Sequence, residues 1–134
     1  MAKFPSQEWV DLFKESLNQN KNYEDAALTW EGDFVFLILP DETLKAPVAL
    51  YLDLYHGKCR EARMLSSPEE KSAAFIYQGP YGNWKKLIGK EIDPIKGMLT
   101  GKFKLKGQAM KVMSYTRAAK ELVETATKIP TEFD

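Results

Sequence analysis

The sequence contains only one cysteine and one histidine among its 134 residues. Cys59 has no second cysteine with which to form an internal disulfide. His56 has no second histidine or cysteine cluster with which to hold a metal ion. The nineteen basic and nineteen acidic residues cancel, so the chain has no long-range positive field to attract nucleic acid. We therefore expect no metal, no cofactor and no nucleic-acid partner.

Long apolar runs are also lacking. No stretch approaches the roughly 18 apolar residues that a membrane-spanning helix needs, and residues 1–7 do not contain the apolar segment of a signal peptide. The last four residues do not form the Ser-Lys-Leu peroxisomal signal. These absences predict a cytoplasmic protein. The length and the 44% share of hydrophobic residues predict a single domain over residues 1–134.

The common enzyme motifs are missing as well. Residues 97–102 resemble a phosphate-binding loop, but they have one residue too few between the glycines, and Phe103 replaces the hydroxyl that would bind magnesium. His56 precedes a glycine in a predicted turn, and Cys59 has no other histidine to activate it. We assign neither residue a chemical role and expect a protein that is not an enzyme.

The apolar periodicity divides the chain into short elements without a βαβ repeat. It predicts helices over residues 6–19, 23–30, 83–88, 93–99 and 108–128, and strands over residues 34–39, 48–55, 59–65, 73–78 and 102–107. Ser6 and Asp93 are the expected N-caps, and His56-Gly57 is the expected hairpin turn. This order predicts an α+β fold with about five strands.

Methionine and aromatic residues gather around the last predicted strand. Met98, Met110 and Met113 lie close in sequence to Trp84 and Phe103. A flexible, polarizable side chain such as methionine suits a surface that accepts ligands of varied shape. The same pattern also fits an ordinary core, and periodicity alone does not distinguish a filled core from a lined cavity.

The C-terminal half carries a longer pattern. Residues 93–107, Asp-Pro-Ile-Lys-Gly-Met-Leu-Thr-Gly-Lys-Phe-Lys-Leu-Lys-Gly, lead into a helix that opens with Ala109-Met-Lys-Val-Met113. This pattern resembles the sterol carrier protein 2 family, and residues 79–84, Gly-Pro-Tyr-Gly-Asn-Trp, resemble its stand-alone prokaryotic members.

The resemblance implies a five-stranded, mostly antiparallel sheet with helices packed on one face. It also implies an apolar tunnel that binds and transfers a sterol-like lipid, a fatty acid or a fatty acyl-CoA without catalysis. By this analogy the ligand-binding wall comprises Phe75, Tyr77, Trp84, Leu87, Met98, Leu99, Phe103, Leu105, Met110 and Met113.

Two other functions stay open. The domain could present a lipid to a partner enzyme, with Phe34, Phe36 and Ile38 on an oligomer face, in which case a homodimer is expected. A thioesterase-like enzyme is the second alternative, although the sequence offers no activated nucleophile. Transient membrane contact, through Lys102, Lys104 and Lys106, would fit the transfer of a lipid.

Overall fold

The computed structural model describes residues 1–134 as an ordered series of thirteen helices and strands. In chain order these are β1 (Ala2–Lys3), α1 (Gln7–Asn18), α2 (Lys21–Ala26), β2 (Glu31–Leu39), β3 (Val48–Tyr55), β4 (Lys58–Met64), β5 (Phe75–Pro80), α3 (Tyr81–Ile88), α4 (Pro94–Leu99), β6 (Lys104–Lys106), α5 (Ala109–Met113), α6 (Thr116–Thr127) and β7 (Thr131–Glu132).

The main sheet has five strands in the order β4-β3-β2-β5-β6. Three of the four pairings are antiparallel, and the pairing of β2 with β5 is parallel. The parallel pair arises because the chain leaves the edge strand β4 and returns to the far side of β2. The predicted α+β fold with a five-stranded, mostly antiparallel sheet is confirmed.

The two faces of the sheet have different covers. Phe34 and Ile38 of β2 belong to the main core, which includes the buried residues of the helices. Val35, between them, packs on the opposite face against Tyr51 and Leu65. Residues 65–74 thus cover the face that the helices leave free, which explains why β2 is apolar on both sides.

The N-terminal helices begin at side-chain caps. The Ser6 hydroxyl accepts a hydrogen bond from the Trp9 backbone N–H at 3.0 Å, as the sequence predicted. The second helix begins earlier than predicted and ends at Ala26, because the Asn20 side chain accepts from the Tyr23 N–H at 3.1 Å and serves as its N-cap. Trp30 lies outside this helix.

The predicted C-terminal helix over residues 108–128 is wrong as a single element. It is divided into α5 and α6 at Ser114 and Tyr115, and Tyr115 has non-helical dihedral angles. The Tyr115 ring packs edge-on against Trp30 at 5.0 Å, and its hydroxyl lies 2.8 Å from the Thr29 hydroxyl. Contacts distant in sequence therefore break an otherwise continuous apolar stripe.

The two ends of the chain form a small parallel sheet that periodicity did not predict. Ala2 pairs with Thr131, and Lys3 pairs with Glu132. The Phe4 N–H donates to the Glu132 carbonyl at 3.0 Å. The pairing fixes Phe4 beside the helices, where its side chain is almost completely buried.

Candidate functional site

An apolar cavity lies between the helix-covered face of the sheet and the helices themselves. The space enclosed by its lining side chains, with the open mouth included, is about 710 Å³. The lining side chains are Phe4, Trp9, Phe13, Phe34, Phe36, Tyr77, Trp84, Leu87, Ile88, Pro94, Ile95, Met98, Val112, Ala119, Leu122, Val123 and Ala126. None of the seventeen is charged.

Trp84 of α3 is the centre of the aromatic wall. Its ring lies 5.5 Å from Phe36 on β2 and meets Tyr77 on β5 edge-on at 5.8 Å. On the α1 side, Trp9 stacks on Phe13 at 5.3 Å and contacts Phe4 edge-on at 4.8 Å. Rigid rings from the sheet, two helices and the N-terminal segment therefore shape the cavity.

The polar atoms of these wall residues are all bound to other parts of the protein. The Trp9 indole N–H donates to the Thr131 hydroxyl at 2.9 Å, and the Trp84 indole N–H donates to the Leu37 carbonyl at 3.2 Å. The Tyr77 hydroxyl donates to the Pro94 carbonyl at 2.7 Å. A ligand inside the cavity therefore meets hydrocarbon and ring faces, with no free side-chain donor.

Tyr77 is the only ionisable residue on the wall. Burial raises the pKa of its hydroxyl well above the ordinary value of 10.0, and the negative charge of Asp93 raises it further. The residue is therefore neutral at physiological pH and does not act as a base.

Four of the ten residues predicted to contact the ligand line this cavity. Tyr77 projects from β5, Trp84 and Leu87 from α3, and Met98 from α4. The Asp93 carboxylate, predicted as the N-cap of α4, accepts from the N–H groups of Ile95 and Lys96 at 3.0 and 2.9 Å. This cap positions the helix that supplies Met98. Whether these four residues bind a ligand stays a prediction.

Three other predicted residues do not line the cavity. Phe103 is buried behind the wall, where it stacks on Tyr77 at 4.7 Å. Phe75 is the register partner of Phe34 on the neighbouring strand and stacks beside it at 5.1 Å. Leu105, on the short strand β6, is half-buried opposite Tyr77. The family resemblance named all three as wall residues, whereas the structure places them in the packing next to the wall.

The remaining three predicted residues lie at the surface. Leu99 is 63% exposed, Met110 is 80% exposed and Met113 is 36% exposed. The break between α5 and α6 turns the apolar stripe, so that Val112 alone among the residues of α5 is buried. Contrary to the prediction, these three side chains therefore do not face the interior of the cavity.

The sequence of the chain matches the model of the SCP-2 sterol transfer family over residues 7–120. The chain belongs to this family. A search of curated proteins found no match. Two solved structures support the assignment and a third shows the same fold.

A crystal structure of sterol carrier protein 2 is 30% identical and superposes with a TM-score of 0.82, over 92% of this chain and 97% of that chain. The solution structure of a conserved hypothetical protein from Thermus thermophilus is 29% identical, with a TM-score of 0.86 over 95% and 90% of the two chains. The apo form of Sterol Carrier Protein 2 from Yarrowia lipolytica is 18% identical, with a TM-score of 0.60 over 90% of each chain.

Most residues on the wall of this SCP-2 domain were not predicted from the sequence. The residues that were not predicted are Phe4, Trp9, Phe13, Phe34, Phe36, Ile88, Pro94, Ile95, Val112, Ala119, Leu122, Val123 and Ala126. A partial signal was present, because Ala119, Leu122 and Ala126 follow at helical spacing on the final apolar stripe. Nothing in their spacing distinguished a cavity wall from a core.

A second, smaller cavity of about 290 Å³ adjoins the first. Both are lined by Phe34, Val112, Ala119 and Leu122. The second cavity extends under Trp30 and Tyr115, so it lies where α5 joins α6. The four shared side chains are therefore the partition between the two spaces.

His56 and Cys59 lie away from both cavities. The His56 ring stacks on Tyr55 at 4.1 Å, and its Nε2 atom is 2.7 Å from a Glu31 carboxylate oxygen. His56 and Gly57 both have positive φ, at 49° and 80°, which is the geometry of a tight hairpin turn. Burial raises the pKa of the Cys59 thiol to about 12, so the reactive thiolate is disfavoured at neutral pH.

No group of three or more His, Cys, Asp or Glu side chains is placed to hold a metal ion. The helices are all too short or too polar to cross a membrane. Phe34, Phe36 and Ile38, considered above for an oligomer face, lie beneath the helices in the core or on the cavity wall. These three residues are therefore not exposed for contact with a second chain.

Proposed function

We propose that this SCP-2 family member binds a hydrophobic lipid in its apolar cavity and transfers it, without catalysing a reaction. The observation that supports the proposal is the state of the wall: seventeen uncharged side chains line the cavity, and the polar atoms of Trp9, Trp84 and Tyr77 are all bound within the protein. Burying a polar ligand group without a partner costs roughly 2–7 kcal/mol. The deep part of the cavity therefore selects hydrocarbon.

The ligand classes implied by the family are a sterol-like lipid, a fatty acid and a fatty acyl-CoA. A fatty acid or an acyl-CoA extends a long apolar chain and keeps its charge at one end. Such a ligand can place the chain against Trp84 and Leu122 while its head stays in water at the mouth. A sterol satisfies the same condition only if its hydroxyl faces the mouth.

The energetics favour reversible binding. Ten buried methylenes contribute about 8 kcal/mol, and association costs at least about 4 kcal/mol. The net affinity for a chain is therefore moderate. A bilayer interior is as apolar as this cavity, so transfer between them is nearly balanced in free energy. A site of this kind loads and releases its ligand readily, as a carrier must.

A thioesterase-like activity lacks support at the cavity. The one ionisable wall residue, Tyr77, donates its hydroxyl hydrogen bond to Pro94 and has a raised pKa. Cys59 and His56 lie outside the lining. Presentation of a bound lipid to a partner enzyme would use the same cavity and is compatible with carriage. The proposed location is the cytoplasm, where a free thiol such as that of Cys59 stays reduced.

Titration of delipidated protein with a fluorescent fatty acid tests the proposal, together with mass spectrometry of lipids extracted from the purified protein. Ala119→Phe should fill part of the cavity and lower affinity about tenfold, because each methylene kept out of the cavity costs about 0.8 kcal/mol. Thr127→Phe, on the exposed side of the same helix, is the matched control. No copurified lipid and no binding at saturating probe, or equal affinity in both variants, would refute the proposal.

A further inference from the structure

The neutral total charge conceals a strong segregation along the chain. Residues 94–120 contain seven basic residues and no acidic residue, so the other 107 residues carry twelve basic and nineteen acidic ones. None of the seven forms an ion pair in the structure, whereas Lys3, Lys21, Lys58 and Lys90 outside the segment do so. The positive charge of this segment is therefore not neutralised within the protein.

The acidic residues that flank the segment are largely engaged elsewhere. The Asp93 carboxylate caps α4. Glu121 accepts a hydrogen bond from Asn20 at 3.2 Å, and Glu124 is paired with Lys90. Glu91, Asp93 and Glu121 form no ion pair and keep their negative charge. Three carboxylates do not balance seven cations, so this segment and its flanks keep a net positive charge.

The same segment exposes large apolar side chains. Leu99, Met110 and Met113 are three of the eight large apolar residues at the surface, and all three lie within fifteen residues of sequence. Leu99 follows Met98, and Met113 follows Val112, and both of these neighbours line the cavity. The exposed apolar residues are therefore on the two short helices, α4 and α5, that form part of the cavity wall.

Two of the seven basic residues, Lys104 and Lys106, do not lie on the side of the sheet that the helices cover. Leu105 belongs to the packing beneath the helices, and Lys104 and Lys106 alternate with it on β6. Because successive strand residues point to opposite faces, these two lysines are on the far face of the sheet. We define the docking surface as Leu99, Met110 and Met113 with Lys96, Lys102, Arg117 and Lys120.

We infer that the docking surface of α4, α5 and the start of α6 binds the surface of an anionic phospholipid bilayer, where the cavity exchanges its ligand. Exposed apolar side chains interspersed with basic ones are the composition that enters a headgroup layer, with the cations on lipid phosphates. A bilayer supplies both the anionic surface and the hydrocarbon chain that the cavity selects. This inference rests on the proposed function.

Helix α1 is a poor alternative for the same role. It carries Glu8, Asp11 and Glu15 against the single base Lys14. An anionic surface would repel it. Its exposed apolar residue, Leu12, is isolated among these charges. Charge complementarity therefore selects the docking surface over the amphipathic N-terminal helix.

The test measures binding to vesicles of phosphatidylcholine, with and without phosphatidylserine, by flotation. The variant Leu99→Ser/Met110→Ser should bind anionic vesicles at least about tenfold more weakly than the wild type, because two apolar side chains no longer enter the interface. The variant Lys96→Gln/Lys120→Gln should lose about fivefold per lysine on anionic vesicles and nothing on neutral ones. Met64→Ser, on the edge strand β4, and Lys45→Gln are exposed residues elsewhere; they are the controls and should bind as the wild type does.

A second readout separates this inference from the proposed function. All variants should bind a soluble fluorescent fatty acid with wild-type affinity, while Leu99→Ser/Met110→Ser should transfer it from anionic vesicles more slowly. Failure of the wild-type protein to bind the fatty acid would refute the carrier function itself. Wild-type binding with unchanged flotation and transfer in both double variants would overturn only the docking surface. A wild-type dimer that Leu99→Ser/Met110→Ser dissociates in size exclusion would assign the surface to a second copy and would also overturn it.

Discussion

At the scale of single residues, the cavity depends on aromatic side chains that serve two purposes. Trp84 presents its ring face to the cavity and directs its N–H to the Leu37 carbonyl. Tyr77 likewise presents its ring and directs its hydroxyl to Pro94. Each hydrogen bond fixes the ring and removes a polar atom from the wall. An apolar cavity with a fixed shape follows from these internal bonds.

Tyr77→Phe should alter the dependence of stability on pH. The folded state raises the pKa of Tyr77 above 10.0, so its contribution is fully present below about pH 10 and is lost as the pH rises further. The loss is about 1.4 kcal/mol per pH unit for one such tyrosine. The variant should be less stable at pH 8 by about 1–3 kcal/mol, because the Pro94 carbonyl loses its donor, yet decline less steeply from pH 10 to 11.

Urea unfolding at pH 8, 10 and 11 measures both effects. Tyr55→Phe, which removes the hydroxyl of an exposed tyrosine, is the control and should keep the wild-type stability at pH 8. Burial also raises the pKa of Tyr23 and Tyr51, so the variant should still lose some stability in alkali. Parallel curves for wild type and Tyr77→Phe would show that the tyrosine is not shielded as the structure indicates.

The sequence predicted residues correctly where their role depends on neighbouring residues in the chain or where the family resemblance named them. Asp93 was predicted as an N-cap because Pro94 and a short apolar repeat follow it, and its carboxylate occupies that position. Trp84 and Tyr77 were predicted as wall residues from the family resemblance, and both line the cavity. Phe4 could not be placed, because its position on the wall depends on packing against Trp84, eighty positions away in the sequence.

At the scale of elements, α5 is the least anchored helix on the cavity. Val112 is its only buried residue, and the Gln108 side chain makes no cap hydrogen bond at its start. It follows Gly107, which has a φ of 124°, and it ends where Tyr115 leaves helical geometry. A short helix of this kind gains little stability from its own hydrogen bonds. We expect it to open locally more often than α6.

Native-state hydrogen exchange should detect this opening. The N–H groups of Lys111, Ser114 and Tyr115, which donate to carbonyls within residues 108–112, should exchange faster than those in the centre of α6. Segments with few buried contacts open at low free-energy cost. Addition of a saturating fatty acid should slow the exchange of α5, because Val112 contacts the cavity.

The control is α4, which is similarly short but has the Asp93 cap and should be better protected. Exchange rates in α5 equal to those in α6 would contradict the expectation. The α5 boundary also shows where periodicity fails. The stripe from Ala109 to Ala126 is continuous in sequence, and the break at Tyr115 is imposed by Trp30 and Thr29, which are far away along the chain.

At the scale of the whole molecule, the paired chain ends close one side of the cavity. Thr131 of β7 accepts from the Trp9 indole, and Phe133 packs against Phe4 with ring centroids 6.1 Å apart. The Asp134 backbone N–H donates to the Tyr81 hydroxyl at 2.8 Å. Two wall residues, Phe4 and Trp9, are therefore held by the last four residues of the chain.

Deletion of residues 131–134 should weaken both folding and ligand binding. The Trp9 indole N–H loses its acceptor, β1 loses its partner strand, and Phe4 is freed to move into the cavity or out of it. Thr131→Val separates these effects, since it keeps the strand and the side-chain volume and removes only the hydroxyl, which accepts from the Trp9 indole and donates to the Ile129 carbonyl. The expected cost is about 1–3 kcal/mol. Glu132→Gln, at an exposed position of β7, should behave as the wild type.

Urea midpoints and fatty-acid titrations on the three variants provide the measurement. The deletion should lower both the midpoint and the affinity, and Thr131→Val should lower the midpoint with a smaller loss of affinity, because Phe4 keeps its strand pairing. A deletion variant with wild-type affinity would mean that the wall formed by Phe4 and Trp9 does not depend on the chain ends. In that case the ligand would be held by the α3, α4 and α6 side of the cavity, where Trp84, Met98 and Leu122 lie.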